Sequence, residues 1–100
     1  MEVENGSLGN QNYLALLEEA RRRLPEGTDA QTVRRTAWLY TQYGCNNYTD
    51  GPGYPFRPED VQDAVSLSKR EGMEFARLLE RLGILKMGAY GRYSFAERWR

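Results

Sequence analysis

Residues 68–95, SKREGMEFARLLERLGILKMGAYGRYSF, read as a capped amphipathic helix running directly into a short β-hairpin. Phe75, Leu78, Leu79 and Leu82 follow the i, i+3, i+4, i+7 spacing that sets one apolar stripe against a core. Ser68 precedes the helix and Glu71 stands three residues on, the spacing of a reciprocal capping box. Gly83 follows the last apolar position, where a helix can end in a left-handed residue without a Cβ penalty. Beyond it, Ile84–Met87 and Arg92–Phe95 flank the turn Gly88-Ala89-Tyr90-Gly91. Strand alternation sends Tyr93 and Phe95 one way and Arg92 and Ser94 the other, with Leu85 and Met87 opposing Ile84 and Lys86.

A shorter helix is predicted just before this unit. Pro58 suits a first helical turn, and Glu59 and Asp60 complement the positive end of the helix dipole. Val61, Ala64 and Val65 form its inward face, and it stops near Ser66-Leu67. Gly72, inside the following helix, costs roughly 1 kcal/mol of helix propensity relative to alanine. A close approach between the two helices would account for it. Two helices joined by a tight turn carrying one buried apolar residue, Leu67, constitute a helix-turn-helix unit.

Further upstream, residues 44–57, GCNNYTDGPGYPFR, form a connection of fourteen residues with three glycines and two prolines. Such length often marks a functional loop. Tyr48, Tyr54 and Phe56 either staple it over the core or offer an aromatic surface to a partner. Before it, Thr28 and Gln31 have capping-box spacing for a helix whose main stripe is Ala30, Val33, Ala37 and Tyr40. Trp38 and Leu39 lie off that stripe. A helix apolar over so wide an arc is central to the domain or meets a partner. A first helix is predicted from about Gln11 to Leu24, with Leu14, Leu17 and Leu24 inward, ending before Pro25-Glu26-Gly27. Arg21-Arg22-Arg23 complements the negative end of its dipole. Residues 1–10 contain turn formers without periodicity and read as a mobile leader, leaving 11–100 as one domain. The terminal Arg98-Trp99-Arg100 is expected to fold Trp99 back onto that domain.

Composition bounds the chemistry. One hundred residues, 40% of them hydrophobic, support one modest core. No run of about 18 apolar residues is present to span a membrane. Without an apolar leader, and with Cys45 alone, the expected location is a reducing cytoplasm. Histidine is absent, so zinc sites and Cys-His nucleophiles are not expected, and Cys45 reads as a small packed residue. There is no phosphate-binding glycine pattern, and the adjacent carboxylates Glu18-Glu19 and Glu59-Asp60 point in different directions on their helices. The reading is a binding protein without a cofactor rather than an enzyme. Fourteen basic and fourteen acidic residues cancel, but residues 57–100 hold nine basic and seven acidic side chains.

The order of elements, the capped fourth helix, the Leu67 turn and the basic glycine-tipped hairpin together resemble the winged helix-turn-helix superfamily over about residues 28–95. The resemblance implies a mainly α fold, four helices followed by a two-stranded wing. It implies that the fourth helix enters the major groove of duplex DNA with Arg70, Arg77 and Arg81 outward, alongside Glu74, and Lys69 at its start. The wing would then offer Lys86, Tyr90 and Arg92 to the backbone or minor groove. A small regulator of transcription or replication is the expected function, as a homodimer because one reader with so little charge would bind weakly. The alternative is a protein-interaction adaptor, as among small phage and mobile-element proteins, using Trp38, Tyr48, Tyr54 and Phe56.

Overall fold

Four helices and a two-stranded antiparallel hairpin make up the computed structural model, which describes residues 2–44, 54–97 and 99, with side chains from Tyr13 onward. In chain order they are α1 (Glu2–Arg23), α2 (Ala30–Tyr43), α3 (Pro58–Ala64), α4 (Lys69–Arg81), β1 (Leu85–Met87) and β2 (Tyr93–Phe95). The sequence-predicted architecture and its order are observed. Helix α2 is the central element, packed against α1, α3 and β2, while α3 packs on α4.

The turn between α3 and α4 forms through local hydrogen bonds. At the start of α4 the Ser68 hydroxyl accepts from the Glu71 amide at 3.2 Å, and the Glu71 carboxylate accepts from the Ser68 amide at 3.3 Å. The Ser68 hydroxyl also donates to the Glu71 carboxylate at 3.0 Å, and the two donors, the Ser68 amide first and the hydroxyl second, hold the Glu71 carboxyl below its ordinary range. Ser68→Ala is expected to lower stability by about 1 kcal/mol, read as a shift in denaturation midpoint. An unchanged midpoint would mean that the cap contributes nothing to the turn.

Helix α3 ends with Ser66 at φ +56°, and the Leu67 amide donates back to the Gln62 carbonyl at 3.0 Å. Helix α4 ends in the same way at Gly83, φ +79°, with its amide donating to Glu80 and the Ile84 amide to Leu79, a Schellman arrangement. Glycine also suits position 72. A Cβ there would lie 3.1 Å from Gln62 Cα on α3, so its absence lets the two helices close together.

Several local expectations shift. The cap of α2 is Asp29, not Thr28: Asp29 accepts from the Thr32 amide and hydroxyl, while the Thr28 hydroxyl donates to Pro25 O at 2.6 Å and closes the turn instead. Helix α1 begins at Glu2 rather than near Gln11. Residues 2–10 contain no proline, and the turn formers there lower helix propensity by up to about 1 kcal/mol each without breaking the backbone ladder. Leu14 is exposed, because the inward stripe of α1 runs through Tyr13, Leu16, Leu17, Ala20 and Leu24. Ala30 is exposed and Leu39 is wholly buried, so the buried arc of α2 is displaced toward Val33, Thr36 and Tyr40.

Trp99 closes the core. It is 1% exposed, stacks on Tyr40 at 4.3 Å with an interplanar angle of 5°, and meets Phe95 edge-on. Its amide donates to the Tyr40 hydroxyl at 3.0 Å. Arg23 lies over the indole ring and pairs with Glu97 and Glu19, tying the end of α1 to the tail. Gly44 leaves room for the Tyr40 ring, since a Cβ there would fall 2.0 Å from Tyr40 Cδ1.

Candidate nucleic-acid interface

The outer face of α4 follows from its spacing. Arg70, Glu74, Arg77 and Arg81 fall within about 60° of one another on a helix of 3.6 residues per turn. Phe75, Ala76 and Leu79 occupy the buried side. Lys69, Arg70, Arg77 and Arg81 are all exposed. Arg70 pairs with Glu74 across one turn at 3.5 Å, an exposed pair that holds the two side chains together weakly. Lys69, Arg77 and Arg81 form no ion pair among the described residues.

The hairpin packs against α4 through β1. Its register pairs Leu85 with Phe95, Lys86 with Ser94 and Met87 with Tyr93. Leu85, Tyr93 and Phe95 are buried, so Lys86, Ser94 and, by alternation, Arg92 share the opposite face. Lys86 and Arg92 are exposed and form no ion pair among the described residues. The Tyr93 hydroxyl donates to Glu80 on α4 at 3.2 Å and latches the hairpin to that helix. Burial, followed by this bond to a carboxylate, raises the Tyr93 pKa, and the nearby Arg77 opposes the shift. Glu80 is therefore engaged in holding the hairpin.

At the hairpin tip the Gly88 amide donates to Arg92 O at 2.7 Å. Tyr90 is 96% exposed and sits at φ +62°. A bulky residue in the left-handed region is held at a cost of roughly 1–2 kcal/mol, and here it projects an aromatic ring outward. All seven residues expected at a nucleic-acid surface are thus exposed, four on α4 and three on the adjoining hairpin. Between residues 69 and 95 there are six basic and three acidic side chains, so the positive excess of this neutral chain gathers on these elements. Met73 on α4 and Met87 on β1 add exposed apolar side chains.

Of the aromatic residues expected either to staple the loop or to meet a partner, Phe56 takes the staple role. Phe56 is a core residue at 1% exposure, stacked on Tyr43 at 4.6 Å. Its amide and carbonyl bond to Tyr93 at 2.9 and 2.7 Å, adding a one-residue rung to the hairpin. This main-chain pairing, invisible in the aromatic pattern, is what carries Phe56 inward. Trp38 and Tyr54 remain partly exposed at 44% and 41%, while Tyr48 and Cys45 lie outside the described residues.

No helix among the described residues is long and apolar enough to cross a membrane. Comparison with protein families, with curated proteins and with solved structures gave no significant match to this chain.

Proposed function

We propose that this chain is a winged helix-turn-helix protein that binds duplex DNA, acting as a small regulator without catalysis or a cofactor. Helix α4 is the element that enters the major groove, and the β1–β2 hairpin is the wing. The observation that supports this reading is the exposure of Lys69, Arg77 and Arg81 on α4 and of Lys86 and Arg92 on a hairpin latched to that helix, none in an ion pair with a described carboxylate. Arginine on a helix presented to the major groove can bond the O6 and N7 of guanine together, which gives Arg77 and Arg81 a base-reading role. Lys86 and Arg92, on one face of the ribbon, suit phosphates, which position a protein without specifying sequence. Arg70, braced by Glu74, contributes positive potential at the edge of the same face.

Titration with duplex DNA tests the proposal. Arg77→Ala is expected to weaken binding to a preferred site by about 1–3 kcal/mol and to relax preference at one base position. Lys86→Ala is expected to weaken all duplexes alike and to reduce the salt slope by about 1. Absence of duplex binding at micromolar protein in about 50 mM salt, where non-specific attraction is strong, would overturn the reading.

A further inference from the structure

A shallow groove of about 440 Å³ runs between α2 and the end of α3. Gln31, Arg34, Arg35 and Trp38 line it from α2, at the i, i+3, i+4, i+7 spacing that sets four residues on one stripe of a helix. Tyr13 reaches it from α1, its ring edge-on to Trp38 at 6.4 Å, and Ala64 and Val65 wall it from the side of α3. No described residue of α4 or of the hairpin lines it.

Its charge has one sign. Arg34 is exposed and Arg35 half-buried, and neither forms an ion pair among the described residues. No described carboxylate lines the groove. Asp63 adjoins Ala64 in the chain, and Glu71 feels the charge of Arg35, yet both stand outside the lining. The Glu71 carboxylate is also taken up by the Ser68 amide and hydroxyl. Beside the two guanidiniums the same stripe carries Trp38, 44% exposed, and Ala64 and Val65 add apolar wall. The lining therefore favours an occupant that is both anionic and apolar.

We propose that this groove docks an acidic segment of another protein, its carboxylates on Arg34 and Arg35 and one apolar side chain seated against Trp38, Ala64 and Val65. Charge selects the occupant. Arginine receives a carboxylate through two parallel hydrogen bonds, whereas a basic segment would meet only like charge. A second copy set groove to groove would bring four arginines together without a carboxylate, the opposite of the self-complementarity that a two-fold contact needs. Shape selects a chain over a small molecule. Small ligands sit in pockets that cover most of their surface, while a protein segment needs only its anchor side chain covered. Duplex DNA would satisfy the arginines with phosphates but brings no apolar side chain to Trp38 and Val65. Docking uses no described residue of α4 or the hairpin, so the proposal stands independently of DNA binding.

The test is titration of the full chain, followed by nuclear magnetic resonance, with a short synthetic peptide of glutamates around one phenylalanine. Trp99 is 1% exposed, so the two indole N–H resonances separate the groove from the core. The peptide is expected to shift the Trp38 indole and the amides of residues 31–38 and 64–66, to leave the Trp99 indole unmoved, and to saturate below about 1 mM, the weak end of specific binding. Arg34→Glu and Trp38→Ala should each weaken binding by about tenfold or more with an unchanged helical circular dichroism signal, since both side chains are exposed. Lysine in place of glutamate should abolish binding. No shift at Trp38 up to about 1 mM peptide would overturn the proposal, as would equal binding of the lysine peptide. Displacement of the acidic peptide by a duplex that itself shifts residues 31–38 would also overturn it, because the arginines would then serve phosphates.

Discussion

Trp99→Ala is expected to lower the stability of the domain by about 3–5 kcal/mol, the range for truncating a buried aromatic residue. One substitution removes the stack on Tyr40, the edge contact with Phe95 and the seat of Arg23. The cavity left is bordered by Tyr40, whose ring is confined on another side by Gly44, so the site cannot collapse cheaply. Domains of this size hold about 5–15 kcal/mol in all, which makes the tail a condition of folding rather than an appendage. Urea denaturation checks this, and Trp99→Phe should recover part of the loss by keeping a ring against Tyr40. A loss below about 1 kcal/mol in Trp99→Ala would show that the indole does not close the core in solution.

The second large effect is expected at Leu79→Ala, about 2–5 kcal/mol for a fully buried leucine. Leu79 is 0% exposed, and its carbonyl accepts the Ile84 amide that turns α4 into β1. The main-chain bond survives truncation, so the predicted loss comes from side-chain packing alone. Because α4 presents the proposed reading face, the variant also connects stability to function: DNA affinity should hold while the protein remains folded and fall with the folded fraction. A loss of less than about half a kcal/mol in chemical denaturation would mean that the inward stripe of α4 is misassigned.

Local sequence was sufficient wherever one short segment contained both partners of an interaction. The Ser68–Glu71 box, the left-handed Gly83, the hairpin alternation and the close approach at Gly72 involve neighbours in the chain or a single facing helix, and each was legible from spacing and residue type. The outward face of α4 was legible for the same reason, since a helical period alone separates Arg77 and Arg81 from Leu79. Asp29 was missed because Thr28 offers a similar capping oxygen one residue earlier, and only the fold of the Pro25 turn decides which side chain is occupied elsewhere.

What the sequence by itself determined is the order of four helices and a hairpin, the caps that start and stop α4, and the set of cations turned outward. Only the tertiary structure decided that Phe56 pairs with Tyr93 as an added rung, that Glu80 holds the hairpin through the Tyr93 hydroxyl, and that the Tyr13 and Trp38 rings meet across α1 and α2. The physical reason is separation along the chain. Periodicity and capping are set within one or two helical turns, whereas a main-chain bridge, a latch across thirteen residues or a flank shared by two helices exists only once packing has fixed which faces meet.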